Sequence, residues 1–461
     1  MQGLHQLIPL VLSCGAIFFF ILARSRAVAT AGGDLASLHS RPGYHGLYAF
    51  LVTLLVGIGL YLFLLLAGNA YVNVLLLGRV FDLAPDMRAI EATLAVSDAK
   101  ALAFGEPASR TDAIRDDVAT LFRSLDSLHF AVLAVIPVAA AGLAGVLILR
   151  RIRRDWRARN GSEAIMRSVL MVCASVAVLT TIGIVLSLIF ETLSFFATIG
   201  WRVDRFLFGT EWSPLAGVHE GVLDSERVGA LPLFLGTLLI TVIAMTVAVP
   251  IGLFAAIYLA DFASARVRTW AKPLLEILAG IPTVVYGFFA AITVAPMLRG
   301  TGEAIGLSVA SESALAAGVV MGLMIIPFIS SLSDDVINSV PQSLRDGSYG
   351  LGATRAETIR MVVLPAALPG IVSAVLLGVS RAVGETMIVV MAAGQGANLT
   401  VNPLEAVTTV TVQIVMLITG DTEAETAAGP AFTLGFTLFC VTLILNVIAL
   451  RTVRRYREAY D

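Results

Sequence analysis

The stretch that decides the fold is DGSYGLGATRAETIRMVVLP, which runs from Asp346 to Pro365. It is polar and rich in glycine, yet it lies between two long apolar runs. A polar segment in that setting must face water, and we expect it to face a partner protein as well. We predict that Pro341 opens a helical turn before it, that Gly350 and Gly352 allow a sharp reversal, and that the next helix starts at Pro365.

The composition describes a membrane protein. Of the 461 residues, 57% are hydrophobic and only 14% are charged, and the mean hydropathy is +0.88. These values exclude an ordinary soluble globule and predict an all-α polytopic membrane protein. The three cysteines and five histidines are scattered, so we predict no metal site, no cofactor and no catalytic residue. The only lysines, Lys100 and Lys272, do not follow a glycine, so ATP hydrolysis by a P-loop must come from another chain.

Nine apolar runs are long enough to cross a bilayer, which takes about 20 residues of helix. They lie near residues 5–23, 47–68, 128–149, 166–190, 230–260, 272–298, 313–333, 366–393 and 430–449. With the 346–365 loop in the cytoplasm, the inward segments carry 20 basic residues and the longer outward segments carry 10. This bias agrees with the positive-inside rule. It predicts an N-terminus outside and a C-terminus in the cytoplasm.

A domain boundary is predicted in RRIRRDWRARNGSEA, from Arg150 to Ala164, where the charge density is highest and Asn160-Gly161 is expected to break the helix. Residues 1–160 then form an N-terminal extension with three spans and an outward polar region at 69–127. Residues 161–461 form a six-span core that contains the loop 341–365. Within the outward region, an apolar stripe predicts a helix packed on its own spans. The stripe consists of Ile114, Val118, Leu121, Phe122, Leu125 and Leu128.

Two further outward segments have patterns of their own. The loop 195–229 contains Trp201, Phe206, Phe208 and Trp212, aromatic residues that are typical of a helix anchored at the membrane interface. The run 406–419 is apolar but too short to span comfortably. We expect it to form a re-entrant or outward-lying helix.

The spacing within the polar loop resembles the EAA loop of ABC importer permeases. The family pattern is E-A-A, three residues, G, nine residues, I, one residue and L-P, and all of its gaps match here. The matching positions are Asp346, Gly347, Ser348, Gly352, Val362, Leu364 and Pro365. The chain departs from the pattern in having Asp for Glu, Gly and Ser for the two alanines, and Val for Ile. The resemblance implies a cytoplasmic helix that docks into a groove on an ATPase.

Two more motifs narrow the resemblance. GIPTVVYGFF, from Gly280 to Phe289, and RAVGETMIV, which starts at Arg381, are similar to phosphate-specific ABC permeases of the PstC type. The similarity covers roughly residues 161–461 and implies a six-helix, MetI-like core in a bacterial inner membrane. It also implies four kinds of partner: a second, PstA-like permease, two ATP-binding subunits, a periplasmic phosphate-binding protein and phosphate itself.

Arg381 and Glu385 are four residues apart in the predicted eighth span, which on a continuous helix gives them one face. Charged groups at the bilayer centre avoid lipid. Two interpretations remain open: the residues line the anion pathway, where the guanidinium matches phosphate oxygens, or they form a structural ion pair. Gly280 and Pro282 are either a hinge or an ordinary kink. Lys272 and Glu276 are predicted to form a pair at a helix end.

The predicted function is the permease subunit of an ATP-driven phosphate importer. One alternative keeps the ABC fold and changes the cargo to another oxyanion, such as molybdate or sulfate. A second is a proton-coupled anion carrier that uses Arg381 and Glu385 as a relay, although an ATPase-docking loop would have no purpose there. A membrane sensor is a third class, but the inward segments are too short for an output module.

Overall fold

The computed structural model describes residues 7–105, 107–214, 227–420 and 424–457. These residues are helical and carry one isolated β-bridge, between Trp212 and Val228. Within the described ranges, nine helices are long and apolar enough to cross a membrane. The predicted class and the predicted number of spans are therefore confirmed.

The chain divides into two compact units, residues 1–179 and 180–461. The helices that begin in the first unit are α1 (Leu7–Ala31), α2 (Pro42–Leu83), α3 (Ala89–Phe104), α4 (Ala113–Arg151) and α5 (Ala158–Thr198). At about 1.5 Å per residue, the 42 residues of α2 exceed the length that a bilayer needs. The excess of α2 and α4 forms a small bundle with α3.

The core of that bundle contains the predicted stripe. Val118 and Phe122 are buried, and Ile114, Leu121 and Leu125 pack partly buried against the same cluster, which also contains residues of α2 and α3. Leu128 is exposed. The prediction of a helix packed on its own spans is thus confirmed for all but the last position.

The predicted helix break at Asn160-Gly161 is wrong, because α5 runs through both residues. A Cβ on Gly161 would lie 2.6 Å from Cε2 of Tyr48. The glycine therefore serves close packing of α5 against α2. The predicted domain boundary at 160 lies near the start of α5, whereas the two compact units divide further along this helix.

The second unit begins within α5. Its helices are α6 (Val203–Phe208), α7 (Leu231–Ile257), α8 (Ala265–Ala279), α9 (Thr283–Phe289), α10 (Ala295–Ala304), α11 (Ala314–Ser339), α12 (Gln342–Gly350), α13 (Arg355–Thr358), α14 (Leu364–Val383), α15 (Met387–Ala392), α16 (Val410–Thr419) and α17 (Ala424–Arg457). Three wide π turns follow α7, α9 and α13, at Tyr258–Phe262, Ala290–Val294 and Ile359–Val363.

The centre of this unit is α11, the most buried of the spans. It packs against α7 at two glycines: a Cβ on Gly318 would lie 2.6 Å from Cγ2 of Ile243, and one on Gly322 would lie 2.8 Å from the Ala244 carbonyl oxygen. Small residues let two membrane helices approach closely. The surrounding core includes Met321, Met324, Ile325, Ile329, Ile388 and Val389.

The predicted interface aromatics have two different environments. Phe206 and Trp212 are buried in one cluster with Phe195, and the indole Nε1 of Trp212 donates to Oε1 of Gln413 over 3.1 Å. Anchoring at the interface is therefore wrong for these two side chains. Trp201 and Phe208 are exposed. Residues 215–226 of this predicted loop lie outside the described residues. The segment 406–419 does contain a short apolar helix, α16, as expected.

Candidate functional site

The hairpin that the first motif predicts is built from α12, a reversal and α13. Helix α12 follows Pro341, and Nε2 of Gln342 donates to Oδ1 of Asp346 across its first turn over 3.0 Å. The chain reverses at Gly352, whose φ of +87° is a conformation that favours glycine. Thr354 and Glu357 then form a capping box that starts α13.

The predicted helix start at Pro365 is wrong. The helix begins ten residues earlier, at Arg355, and passes Pro365 by means of the π turn Ile359–Val363. Proline lacks the N–H of a regular helix and its ring crowds the preceding turn, so a wide turn just before it relieves the conflict. The same arrangement recurs at Ala290–Val294, which ends two residues before Pro296.

Most of the hairpin surface is free of contacts within the chain. Asp346 and Gly347 are exposed, and a Cβ on Gly347 would meet no atom within 4 Å. Leu351 is 93% exposed at the tip, and Leu344 is exposed beside it. Ser348 instead faces inward, with its Oγ 2.9 Å from Oγ1 of Thr358. The hairpin is therefore internally braced and presents a mixed polar and apolar face.

Arg345 is a functional candidate that the sequence analysis missed. It is 8% exposed, and its guanidinium contacts Oδ1 of Asp261 on the π turn after α7 and donates to the Ile337 carbonyl oxygen over 2.8 Å. It directly precedes Asp346, the first position of the EAA pattern, but that pattern specifies no residue at position 345. Its partner is 84 residues away in sequence, so no local spacing could have revealed the pair.

The eighth span is discontinuous. Helix α14 ends at Val383, Gly384 caps it, and α15 starts at Met387. The expectation that Arg381 and Glu385 share one face of a continuous helix is therefore wrong. The break arises where Glu385 accepts hydrogen bonds from the backbone N–H groups of Met387 and Ile388, at 3.1 and 3.4 Å.

The two charged residues also have separate partners. Glu385 is buried, whereas Arg381 is exposed with its guanidinium carbon 5.9 Å from the ring centre of Phe328. Among the ion pairs of the described ranges, none joins Arg381 to Glu385. The guanidinium is thus accessible, and the carboxylate is committed to the start of α15.

The sixth predicted span is also interrupted, at Gly280 and Pro282. Helix α8 ends at Ala279, and α9 begins after Pro282. The hydroxyl of Tyr286 donates to the Leu278 carbonyl oxygen over 2.9 Å and so bridges the break. Instead of one kinked helix, the structure has two separate helices.

Lys272 is paired, but not with Glu276. Its Nζ lies 3.0 Å from Oδ2 of Asp334 and 3.1 Å from Oδ1 of Asp335, both on α11. These two hydrogen bonds raise the pKa of Lys272 above its ordinary value. Within the described parts of the chain, no group of three or more metal-ligating side chains is present.

Comparison with known proteins follows the two units. Residues 8–180 match a family model described as "Phosphate ATP-binding cassette transporter". Residues 248–458 match one described as "Binding-protein-dependent transport system inner membrane component".

Among curated proteins, a probable ABC transporter permease, YqgH of Bacillus subtilis, is 32% identical over 296 residues, covering 63% of this chain and 90% of its own. The phosphate transport system permease PstC of Xylella fastidiosa is 33% identical over 261 residues, covering 53% and 76% respectively. The corresponding protein PstC 1 of Mycobacterium tuberculosis is 33% identical over 277 residues, covering 54% and 82%. A solved structure of the MetNI methionine ABC transporter is 21% identical, with a TM-score of 0.38, and covers 48% of this chain and 93% of its own.

Proposed function

This chain belongs to the PstC family of phosphate ABC transporter permeases, and on that premise we propose that it carries inorganic phosphate across a bacterial inner membrane. It is a multi-pass transporter subunit and not an enzyme. In the proposed assembly it pairs with a PstA-like permease, receives phosphate from a periplasmic binding protein and is driven by two ATP-binding subunits.

The observation that carries the proposal is the exposed hairpin of α12 and α13. Its tip residue Leu351 is almost fully exposed, and Gly347 leaves open space beside the helix. An apolar tip flanked by an acidic side chain suits a partner groove better than it suits water. We assign this surface, with Asp346 and Gly347, to ATPase docking, and we assign Ser348 and Gly352 to holding the hairpin in shape. The hairpin then lies in the cytoplasm, with the N-terminus outside and the C-terminus inside, in agreement with the arginine distribution.

The cargo proposal rests on Arg381. A guanidinium stays charged at every physiological pH and binds phosphate oxygens in a planar fork. Arg381 is exposed next to the break in the eighth span, and no carboxylate neutralises it within 4 Å among the described residues. Glu385 supports the site indirectly, because it holds the backbone of the break open. We propose that Arg381 lines the anion pathway and that Glu385 positions it.

The breaks in the sixth and eighth spans are the points at which we expect the proposed pathway to change shape. In α9, Gly287 lies so close to α15 that a Cβ on it would lie 2.8 Å from Sδ of Met391 and 3.1 Å from the Met387 carbonyl oxygen. The segment after the break at Gly280 and Pro282 therefore packs directly on the segment after the break at Glu385. We propose that the first break is a hinge that moves α9 and α15 together.

A second candidate function is import of another tetrahedral oxyanion, because a guanidinium binds sulfate or molybdate in the same geometry. A third is proton-coupled transport without an ATPase. The exposed hairpin favours the ATP-driven alternatives.

The test is transport by the purified complex in proteoliposomes, with the binding protein outside and ATP inside. Phosphate uptake should require ATP, and excess sulfate or molybdate should leave it unchanged. Competition by either anion would indicate that this anion is the cargo instead of phosphate. Uptake driven by a proton gradient without ATP would contradict the ABC mechanism for this chain.

A further inference from the structure

The coupling helix α12, the first helix of the hairpin, contacts the spans with one fully buried side chain. Of its nine residues, Arg345 is the only one that is buried. The apolar cluster below the hairpin contains Ile337, Val340, Val363 and Ala367 but no residue of α12. Displacement of α12 can therefore reach the spans through the buried contacts of Arg345, through the partly buried contact of Ser348 with Thr358, and through the chain ends of the helix.

The contacts of Arg345 join three elements at one point. Its NH1 atom meets Asp261 on the π turn that ends the fifth span, and its NH2 atom meets the Ile337 carbonyl at the end of α11. Asp261 is 6% exposed. A buried ion pair that loses one partner leaves a charge without solvent, so the two residues are expected to move as a unit.

The space beside this point is open. A cleft of about 730 Å³ borders both α12 and the ends of the spans, is lined in part by Arg345 and Asp261 themselves, and has a mainly polar lining. The lining includes Asn338, Ser339, Gln342, Tyr349 and Arg355. The second carboxylate oxygen of Asp261 is buried without a hydrogen-bond partner. The ion pair is thus a pivot beside an open space and not one contact within a close-packed interface.

A second contact of the hairpin with the fifth span provides a comparison. The guanidinium carbon of Arg355 lies 5.4 Å from the ring centre of Phe262, next to Asp261 in sequence, but Arg355 is exposed. Exposed cation–π contacts are weak compared with buried charge pairs. The two arginines therefore offer a matched pair of variants.

We propose that Arg345 and Asp261 form the joint that transmits movement of the coupling helix to the fifth span. The inference rests on the proposed function of the hairpin. Both residues are positioning residues, because neither touches the transported anion. Loss of the joint leaves an ATPase that docks and hydrolyses ATP but no longer drives the spans.

The experiment compares transport per ATP in complexes purified through a tag on the ATPase, so that only assembled complexes are measured. Arg345→Met and Asp261→Asn should keep basal ATPase activity within about twofold and lower phosphate import per ATP at least about tenfold. Arg355→Met should lower this ratio less than about threefold. Arg266→Met, an exposed arginine outside the hairpin, is the neutral control.

Exchanging the two charges distinguishes a loss of transmission from a simple loss of stability. In the double variant Asp261→Arg with Arg345→Asp, import per ATP should return to within about threefold of the parent. An unchanged ratio in both single variants overturns the proposal. A double variant no better than the single ones also overturns it, because charge pairing would then have no role.

A readout without cargo distinguishes this inference from the proposed function. We would introduce a cysteine at Ser331, on α11 and partly exposed, into a chain whose three native cysteines are serines. ATP with vanadate should change its reaction rate with maleimide in the parent complex and not in Arg345→Met. If Arg345→Met keeps the full change in reaction rate, the proposal that Arg345 and Asp261 form the joint is overturned. If the parent complex shows the change in reaction rate but does not import phosphate, only the proposal that phosphate is the cargo is refuted.

Discussion

Lys272 Nζ and Asp334 Oδ2 lie 3.0 Å apart, and this ion pair joins helix α8 to the buried helix α11. Asp334 also accepts hydrogen bonds from Arg268 over 3.3 Å and from Asn338 over 2.8 Å. A carboxylate with this many donors is stabilised in a place where water cannot reach it. The amphipathic helix α8 is therefore fastened to the core from one side.

Replacement of this carboxylate should loosen α8. We expect Asp334→Asn to lower the free energy of unfolding by about 2 kcal/mol, because charged hydrogen bonds are lost while both cations remain partly solvated. The measurement is the thermal unfolding midpoint of the purified chain in detergent. Asp335→Asn, at a mostly exposed carboxylate, should shift the midpoint much less, and equal shifts would contradict a special role for Asp334.

The raised pKa of Lys272 gives the same contact a pH dependence. A group whose pKa is higher in the folded state contributes stability fully below its ordinary value of 10.5 and loses it as the pH rises through the folded value. The pair should therefore stabilise equally from about pH 6 to pH 9. A difference in unfolding midpoint between the parent and Lys272→Met that changes within this range would contradict the pairing.

Substitution of Gly347 distinguishes an effect on ATPase docking from an effect on folding. A side chain there meets no atom of the chain, so Gly347→Leu should leave the midpoint of unfolding unchanged or slightly higher, since leucine favours a helix over glycine by about 1 kcal/mol. If the hairpin enters a groove on the ATPase, the same variant should lose the ATPase during purification. Gly300→Leu, at another open helical glycine, is the control. An ATPase retained by Gly347→Leu would exclude this face from docking.

Arg381 should determine phosphate transport through both its charge and its shape. We expect Arg381→Ala to reduce the rate of phosphate uptake at least about tenfold and Arg381→Lys to keep only part of it, because an ammonium lacks the planar fork. Uptake of radiolabelled phosphate at equal protein level is the measurement. Full uptake by Arg381→Ala would remove Arg381 from the pathway and favour a structural role against Phe328.

Asp98 should stabilise the bundle of α2, α3 and α4 only when it is ionised. The hydrogen bond from Nε of Arg115, over 2.9 Å, is the main cause of the lowered pKa of Asp98, and the Ser109 amide adds to it. A lowered pKa means stability that is present above the ordinary value of 3.8 and is lost as the pH falls through the folded value.

Asp98→Asn should therefore speed amide exchange in α3 at neutral pH. The difference from the parent should vanish at about pH 2, once the exchange rates are corrected for the intrinsic effect of pH. Asp86→Asn, at an exposed carboxylate, should exchange as the parent does. A difference that persists in acid would assign the effect to packing instead of charge.

The spans were predictable because segments that lie in lipid must be long and apolar, and this pattern is visible in the sequence. The breaks within them were not. Gly384, Glu385 and Thr386 interrupt a run that remains apolar on average. The sequence shows Glu385 only as a charge, whereas its side chain accepts hydrogen bonds from the first N–H groups of α15. Whether a carboxylate pairs with a cation or with backbone N–H groups depends on a local geometry that hydropathy does not encode.

The candidate site was predictable only where its residues are close together in sequence. The hairpin follows from the spacing of glycine and proline around Gly352, because these residues restrict the backbone directly. Arg345 looks like any surface arginine until Asp261 is brought to it by the packing of α7. Phe206 and Trp212 are buried for the same reason, since their partners come from distant helices.

The π turn at Ile359–Val363 also decides how α13 and α14 can form one continuous helix through a proline. A wide turn completes its rotation with about one residue more than an α-helical turn, so the extra residue is taken up within the turn. Removal of one residue here would place Pro365 after a regular helical turn, where its ring clashes with the carbonyl oxygen four residues before it. The surplus residue thus lets the hairpin remain continuous with the helix that carries Arg381.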